Sequence, residues 1–212
     1  MTIPDRLRSF PVLPILNLAE QTTALRVAEA LTKGGIGAFE ITLRNENALV
    51  SLQAVRKEFP DLTLGAGTIL EKEQISQVKD LGIDFGVCPG WDDDLWSHSK
   101  DLDFPLIPGV LTPTELTRAC KSGCRTLKVF PIEPAGGVGY LKSLIAPFRS
   151  LNLDYLPTGG IGKEKVSSYL EDEAVLTVGG SWLTPLTLIE KKEFTAITEL
   201  AIASLSLSNL KT

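Results

Sequence analysis

Short apolar runs alternate with longer segments of helical spacing along the chain. Eight runs have the length and composition of buried strands: LPILN, AFEITL, LTLGAG, FGVCP, PLIPGV, TLKVFP, DYLPTGG and LTVGG. The intervening and final segments predict helices over Glu20–Lys33, Asn47–Glu58, Glu71–Leu81, Pro113–Ser122, Val138–Arg149, Lys163–Leu170 and Lys191–Leu207. This alternation predicts a parallel α/β sheet, and eight units of about 25 residues fit a (β/α)8 TIM barrel. No linker or low-complexity tract divides the chain, so we expect a single domain over residues 1–212.

One helix start carries a specific signal. In TPTEL, Thr112 is placed to be the N-cap, Pro113 takes the first helical position and Glu115 completes a capping box. The sequence therefore predicts a helix directly after the run PLIPGV.

Alternate residues of a barrel strand point into the barrel or out toward the helices. In AFEITLR the outward set is apolar and comprises Phe39, Ile41 and Leu43. Glu40 then points inward. In TLKVFP the outward set comprises Leu127 and Val129. Lys128 and Phe130 then point inward as well, so the barrel interior is predicted to hold two opposite charges.

Charges inside a barrel are costly unless they meet each other or a ligand. A structural ion pair between Glu40 and Lys128 is one interpretation, and a catalytic pair is the other. Catalytic groups of this fold gather at the C-terminal ends of the strands, where Arg44, Thr68, Pro89 and Phe130 are also expected. Because the planar fork of an arginine can hold a carboxylate, Arg44 beside the inward pair favours a site for an anionic substrate.

Two glycine pairs end the last two predicted strands. PTGGIG supplies Gly159 and Gly160, and VGGSW supplies Gly180 and Ser181. Barrels of this class often bind phosphate there, through loop N–H groups and a helix N-terminus, and glycine lets the backbone approach the anion closely. Glycine is also common in any turn that needs a positive φ, so one glycine pair alone is weak evidence for phosphate binding. Two pairs on consecutive strands favour phosphate binding.

Composition and charge narrow the classes of partner. The chain has 212 residues, a formal net charge of −5 and scattered basic residues, which argues against a nucleic-acid partner. No apolar run approaches the roughly 20 residues that span a bilayer, and the start MTIPDRLRSF lacks the apolar stretch of a signal peptide. We therefore expect no membrane partner and a cytoplasmic protein, with its three cysteines as reduced thiols.

The sequence lacks several reactive side chains, and this limits the possible catalytic mechanisms. The single histidine, His98, lies in a polar segment where we expect a solvated helix residue, which argues against Ser-His-Asp and Cys-His catalysis. The cysteines do not make a persuasive zinc set with it, and the acidic run 92–94 is better explained as a helix start than as a magnesium site. A lysine nucleophile remains, because a desolvated amine can condense with a ketone to form a Schiff base. A role as this nucleophile would explain why Lys128 lies inside the barrel.

The chain resembles the class I 2-keto-3-deoxy-6-phosphogluconate (KDPG) aldolases. FEITLR, GAGTIL, CPG, LIPGVLTPTEL, LKVFP, PTGGI and GGSWL carry the resemblance, in the family's order and over nearly the whole chain. It implies a (β/α)8 homotrimer that uses no metal or other cofactor. The implied reaction splits KDPG, a small phosphorylated keto acid, into pyruvate and glyceraldehyde 3-phosphate in the Entner–Doudoroff pathway.

The resemblance also implies a role for each matching residue. Lys128 resembles the Schiff-base lysine, and Glu40 resembles the general acid/base that works through a water. Arg44 and Thr68 resemble the residues that hold the pyruvate carboxylate. The pocket walls and the phosphate cradle of the family are matched by Pro89, Phe130, Gly159, Gly160, Gly180 and Ser181.

Three departures leave the preferred substrate open. Val129 and Cys88 stand where relatives often have Phe and Ser, and Asn17 stands where some carry an arginine. Within the family, the alternatives are aldolases for 4-hydroxy-2-oxoglutarate or for the galactonate epimer of KDPG. Outside it, a phosphate-binding isomerase or decarboxylase would form no covalent adduct, and a phosphosugar-binding protein would leave its ligand intact.

Overall fold

A computed structural model describes residues 1–18 and 20–208. Its strands are β1 (Val12–Leu16), β2 (Ala38–Thr42), β3 (Thr63–Gly67), β4 (Phe85–Val87), β5 (Leu106–Ile107), β6 (Gly109–Val110), β7 (Thr126–Val129), β8 (Asp154–Pro157) and β9 (Val178–Gly180). Its α-helices are α1 (Ile3–Arg8), α2 (Gln21–Lys33), α3 (Ala48–Glu58), α4 (Lys72–Asp80), α5 (Asp93–Asp101), α6 (Pro113–Lys121), α7 (Gly137–Ile145), α8 (Val166–Leu170), α9 (Leu186–Glu190) and α10 (Phe194–Leu205). Short 3-10 helices cover Ala146–Leu151, Lys163–Lys165 and Ser206–Ser208.

The strands form a curled parallel sheet, which confirms the predicted eight-stranded α/β barrel fold. One ladder runs in the order β5-β4-β3-β2-β1-β9 and a second in the order β6-β7-β8. Strands β5 and β6 are two halves of the fifth barrel strand on either side of Pro108, which has no N–H to donate to a ladder. At the other seam, two isolated parallel bridges, Tyr155–Val175 and Thr158–Gly179, join the segments of β8 and β9.

The alternation of inward and outward residues is also as predicted. Phe39 and Ile41 pack into one apolar cluster against the helices, and Leu127 and Val129 pack into another. The N-terminal half of the barrel interior is closed by buried apolar side chains: Leu7, Leu13, Ala38, Phe85, Val87, Ile107 and Leu156. Because this half is apolar and filled, polar chemistry is confined to the C-terminal ends of the strands.

Most predicted helices are found within three residues of their predicted ends. The predicted helix Val138–Arg149 instead ends at Ile145 and continues as a 3-10 helix, because Pro147 cannot donate an intrahelical hydrogen bond. The predicted Lys191–Leu207 begins only at Phe194, after the separate short helix α9. Helix α1 was not predicted, although Thr2 and Asp5 form a capping box at its start.

Two local predictions about helix starts are confirmed. Helix α6 has the full capping box, in which Glu115 N–H donates to Thr112 Oγ1 at 3.3 Å and Thr112 N–H donates to Glu115 Oε2 at 2.7 Å. The acidic run starts α5, where the Asp92 carboxylate accepts from Leu95 N–H at 2.9 Å. In the described ranges, none of the helices has the length and apolar character to cross a membrane.

Candidate active site

Lys128 and Glu40 lie inside the barrel, and each has glycine next to it. Lys128 in β7 is 5% exposed and pairs in register with Gly109, while Glu40 in β2 is 1% exposed and pairs with Gly65. A Cβ atom on Gly67, two residues further along β3, would lie 2.5 Å from Glu40 Oε1. The absence of a side chain at Gly67 therefore creates the space that the Glu40 carboxyl group occupies.

The Glu40 carboxyl group is buried without a hydrogen-bond partner. Neither of its oxygens is hydrogen-bonded to any group in the described part of the chain. Burial raises the pKa of Glu40 above its ordinary value, and the positive charges of Lys128 and Arg44 only partly oppose this rise. Among residues 1–18 and 20–208, the ion pairs within 4.0 Å do not include one between Glu40 and Lys128. The geometry therefore does not favour the structural ion pair, and it leaves a carboxyl group able to exchange a proton with a bound molecule.

The lysine amine lies over an aromatic ring. Lys128 Nζ lies 5.0 Å from the centroid of the Phe130 ring. The nearby Cys88 thiol is buried, and desolvation raises its pKa to about 12 against the opposing effect of the Lys128 charge. Because that thiol stays protonated at neutral pH, Cys88 is a poor nucleophile and Lys128 remains the candidate nucleophile of the interior.

Arg44 and Thr68 meet at the ends of β2 and β3. Arg44 Nε donates to Thr68 Oγ1 at 3.2 Å, and the Arg44 side chain is exposed at the mouth of the barrel. Thr68 has a φ of 59°, a left-handed conformation that is unfavourable for a β-branched residue. Such strain is often found at functional sites, and here it holds the hydroxyl beside the guanidinium. Together these two groups present donors suited to a carboxylate.

A cavity of about 460 Å³ opens at this end of the barrel. Its size is within the range of small-molecule sites. It is lined by six of the predicted site residues: Arg44, Phe130, Gly159, Gly160, Gly180 and Ser181. The other four predicted site residues, Glu40, Thr68, Pro89 and Lys128, are not part of its wall. A Cβ on Gly109 would meet the Pro89 carbonyl oxygen at 2.2 Å, so this carbonyl packs on the fifth strand.

Other residues of the cavity wall were not predicted as site residues: Ile15, Asn17, Thr42, Thr158, Ile161, Gly162, Gly179 and Trp182. Thr42 was within reach of the sequence, because it shares the inward face of β2 with Glu40. From the sequence, Asn17 stands out only as a departure from relatives. The position of Trp182 depends on a turn after β9 that the sequence does not specify.

The loop after β8 has the backbone geometry of an anion cradle. Gly159 and Gly160 have φ values of 107° and 82°, which other residues rarely adopt. Within the described residues, the N–H groups of Gly160, Gly162 and Ser181 donate to no acceptor. The loop is held by Glu133, whose N–H donates to the Gly159 carbonyl at 3.1 Å. Unused N–H groups on a fixed loop are suited to bind phosphate oxygens.

Gly180 contributes only its backbone to the cavity wall. A Cβ at this position would lie 2.9 Å from Trp182 Nε1 and 3.3 Å from Val12 Cγ1. A side chain on Gly180 would therefore clash with Trp182, which is itself part of the cavity wall, and press on Val12. Ser181 is exposed and has no such restriction.

Apart from Cys88, the other reactive side chains are separate from this site. His98 Nε2 lies 3.0 Å from Ser76 Oγ between α4 and α5, so this partly buried histidine is less solvated than predicted. The three cysteines are free thiols. In the portion of the chain that the structure describes, no group of three or more His, Cys, Asp or Glu residues is arranged to hold a metal ion.

Comparisons with known proteins agree on one family. The family model for KDPG and KHG aldolase matches residues 3–200. The chain is 37% identical over 191 residues to the KHG/KDPG aldolase of Escherichia coli, covering 90% of this chain and 89% of that protein. It is also 37% identical over 191 residues to the 2-dehydro-3-deoxy-phosphogluconate aldolase of Dickeya dadantii, with the same two coverages.

Two solved structures are similar over nearly their full length. The KDPG aldolase of Legionella pneumophila, with pyruvate captured at low pH as a covalent carbinolamine intermediate, has a TM-score of 0.92 at 35% identity and covers 97% of this chain and 98% of that one. The 2-keto-3-deoxy-6-phosphogluconate aldolase of Zymomonas mobilis with 3-phosphoglycerate has a TM-score of 0.89 at 35% identity, covering 96% and 94%.

Proposed function

The chain belongs to the KDPG and KHG aldolase family, and we propose that it is a class I aldolase that cleaves KDPG to pyruvate and glyceraldehyde 3-phosphate. The observation that carries this proposal is the buried, partnerless carboxyl group of Glu40 in the same interior as Lys128. The exposed Arg44 and the glycine loop lie on the cavity wall at the same end of the barrel. This arrangement suits a keto acid with a carboxylate at one end and a phosphate at the other.

The reaction begins at Lys128. Its neutral amine adds to the C2 ketone of KDPG to give a carbinolamine, which loses water to form an iminium ion. The iminium accepts the electron pair of the C3–C4 bond as that bond breaks. A relative from Legionella pneumophila holds pyruvate as a covalent carbinolamine, which supports the same first step here.

Glu40 supplies the proton transfers, through a water molecule. Its carboxylate takes the proton of the C4 hydroxyl, so that glyceraldehyde 3-phosphate leaves and an enamine remains on Lys128. Glu40 then returns a proton to C3, and water hydrolyses the resulting imine to release pyruvate. A raised pKa suits this double role, because a group that both takes and returns a proton works best with a pKa near the operating pH.

Binding groups orient the substrate along the cavity. Arg44 and Thr68 hold the carboxylate, and the Phe130 ring gives the reacting carbons an apolar wall beside Lys128. Pro89 is assigned only to the support of the fifth strand. The N–H groups of Gly160 and Ser181, the backbone of Gly159 and Gly180, and the Ser181 hydroxyl form the proposed phosphate cradle.

Three further parts of the proposal rest on family membership. The enzyme acts in the Entner–Doudoroff pathway, it is cytoplasmic, and it assembles as a homotrimer. Light scattering after size-exclusion chromatography measures the oligomeric state. A monomeric mass at working concentrations contradicts the homotrimer.

Turnover of three substrates, measured side by side, tests the proposed function. KDPG should give the highest kcat/KM, and 4-hydroxy-2-oxoglutarate and the phosphogalactonate epimer are the alternatives. Pyruvate release is followed with a coupled dehydrogenase, and Lys128→Met should abolish it while the fold persists, because methionine fills a similar space without the amine. If none of the three is cleaved, an isomerase, a decarboxylase or a binding protein becomes the better assignment.

A further inference from the structure

Asn17 presents an unused amide nitrogen to the cavity. Its Oδ1 accepts from Thr42 Oγ1 and from Asn45 Nδ2, each at 3.4 Å. Asn45 Nδ2 also donates to the Leu18 carbonyl at 3.1 Å, which fixes the segment after β1. Asn17 Nδ2 donates to no acceptor in the described residues, although the side chain lines the cavity. The amide is thus oriented through its oxygen, and its two N–H donors remain available to a ligand.

The barrel order places this amide between the two ends of the substrate. Strand β1, which Asn17 follows, lies between β2 on one side and β9 on the other. The proposed carboxylate site is at Arg44, just beyond β2, and the proposed phosphate site includes Ser181, just beyond β9. The middle carbons of a ligand that binds at both sites therefore lie next to Asn17.

The middle carbons of KDPG offer two hydroxyl groups to the Asn17 amide, and only one of them is free of a role in the reaction. In KDPG these carbons carry hydroxyl groups at C4 and C5. The C4 oxygen becomes the aldehyde oxygen and is assigned to proton transfer with Glu40. The C5 hydroxyl lies next to it on the phosphate side, and its oxygen can accept an N–H hydrogen bond.

We propose that Asn17 is a specificity residue whose Nδ2 donates a hydrogen bond to the C5 hydroxyl of the phosphorylated substrate. This inference rests on the proposed aldolase function. Thr42 acts as a positioning residue for it, since its buried hydroxyl donates to Asn17 Oδ1. An arginine at position 17 would bring a positive charge to this place, whereas the amide contributes neutral donors suited to a hydroxyl group.

The competing explanation is that Asn17 only tethers the segment after β2 through Asn45. A purely structural role would affect all substrates alike, whether or not they carry the hydroxyl. A role in recognition would affect only substrates that carry it. The two explanations therefore separate on a pair of aldehydes that differ by this one group.

The test uses the condensation direction with two aldehydes. Pyruvate is condensed with glyceraldehyde 3-phosphate, whose C2 hydroxyl becomes the C5 hydroxyl of the product, and with 3-oxopropyl phosphate, which lacks it. We expect Asn17→Ala to lower kcat/KM for glyceraldehyde 3-phosphate by about 3- to 10-fold relative to 3-oxopropyl phosphate, the usual effect of one hydrogen bond. Asn45→Ala, which removes the tether but keeps the Asn17 donors, should leave the ratio of the two aldehydes near its wild-type value.

Each outcome is decisive. Equal losses for both aldehydes in Asn17→Ala, no loss at all, or the same change of ratio in Asn45→Ala would overturn the role of Asn17. Those results leave the aldolase assignment intact as long as wild type condenses pyruvate with either aldehyde. If wild type condenses neither and forms no pyruvate imine at Lys128, the proposed function fails, and this inference fails with it.

Discussion

Replacing Gly67 with alanine should impair catalysis without unfolding the protein. The added Cβ would lie 2.5 Å from Glu40 Oε1, 3.0 Å from Glu40 Cδ and 3.2 Å from Thr42 Cγ2. Gly67 is not among the residues with positive φ, so alanine is compatible with its backbone. The nearest atom is the end of a rotatable side chain, which can move away at little cost. We therefore expect the free energy of unfolding to fall by about 1 kcal/mol, the low end of the cost of overpacking a core.

The size of the catalytic effect follows from the displacement. To reach ordinary van der Waals contact at 3.4 Å, the carboxylate oxygen must retreat by about 0.9 Å. Misplacement of a catalytic group by 1 Å can cost about 100-fold in rate. We expect kcat for KDPG cleavage to fall by about 10- to 100-fold, which corresponds to about 1.4 to 2.7 kcal/mol of transition-state stabilisation.

Three measurements on Gly67→Ala isolate the effect. Steady-state kinetics gives kcat, urea unfolding gives stability, and borohydride trapping of pyruvate gives the competence of Lys128. The matched control is Gly139→Ala in the exposed part of α7, where an added Cβ has no heavy atom within 4 Å. This control should keep wild-type kinetics and gain about 0.5 to 1 kcal/mol of stability, because alanine favours helix.

One result would refute this account of Glu40. If a folded Gly67→Ala protein keeps kcat within twofold of wild type, the position of the Glu40 carboxylate does not control the reaction. A loss of pyruvate trapping in parallel with kcat would instead place the damage at Lys128.

Two further predictions concern the pH dependence of stability and the phosphate site. Glu40 has a folded-state pKa above its unfolded value of 4.5, so the stability that its protonated form contributes is present below pH 4.5 and is lost as pH rises through the folded pKa. Glu40→Gln, which cannot ionise, should lack this loss in urea titrations from pH 4 to pH 8 while its kcat falls by about 10²- to 10⁴-fold; parallel stability curves for the two proteins would contradict the raised pKa. Ser181→Asp should raise KM for KDPG much more than for 4-hydroxy-2-oxoglutarate, through repulsion of the phosphate, and Ser181→Ala is its control. Equal changes for both substrates would move the phosphate site elsewhere. Aspartate at Gly160 is a poorer test, because the φ of 82° there strains any side chain.

The sequence was sufficient to locate the two charged groups inside the barrel. Strand periodicity of two is a geometric property of the backbone, so Glu40 and Lys128 could be placed by counting from their apolar neighbours. The capping box of Thr112 and Glu115 was similarly readable, because it is formed by residues close in sequence. Features of this kind depend only on local geometry.

Other parts of the site depend on contacts between distant segments. The relation of Asn17 to Thr42 and Asn45 joins the ends of two strands, and the left-handed conformation of Thr68 has no signature in its own residue type. The atoms that a side chain on Gly180 would meet are set by where Trp182 and Val12 pack. These features could not be predicted because they arise from packing in three dimensions.

Borohydride reduction in the presence of pyruvate shows whether Lys128 forms an imine with the keto acid. Sodium borohydride reduces an imine to a stable secondary amine, and peptide mass mapping then identifies the modified lysine. We expect inactivation and a single reduced pyruvyl adduct on Lys128, because this buried lysine shares the barrel interior with the partnerless carboxyl group of Glu40. An adduct on another lysine, or none while the protein still cleaves KDPG, would show that Lys128 is not the Schiff-base lysine.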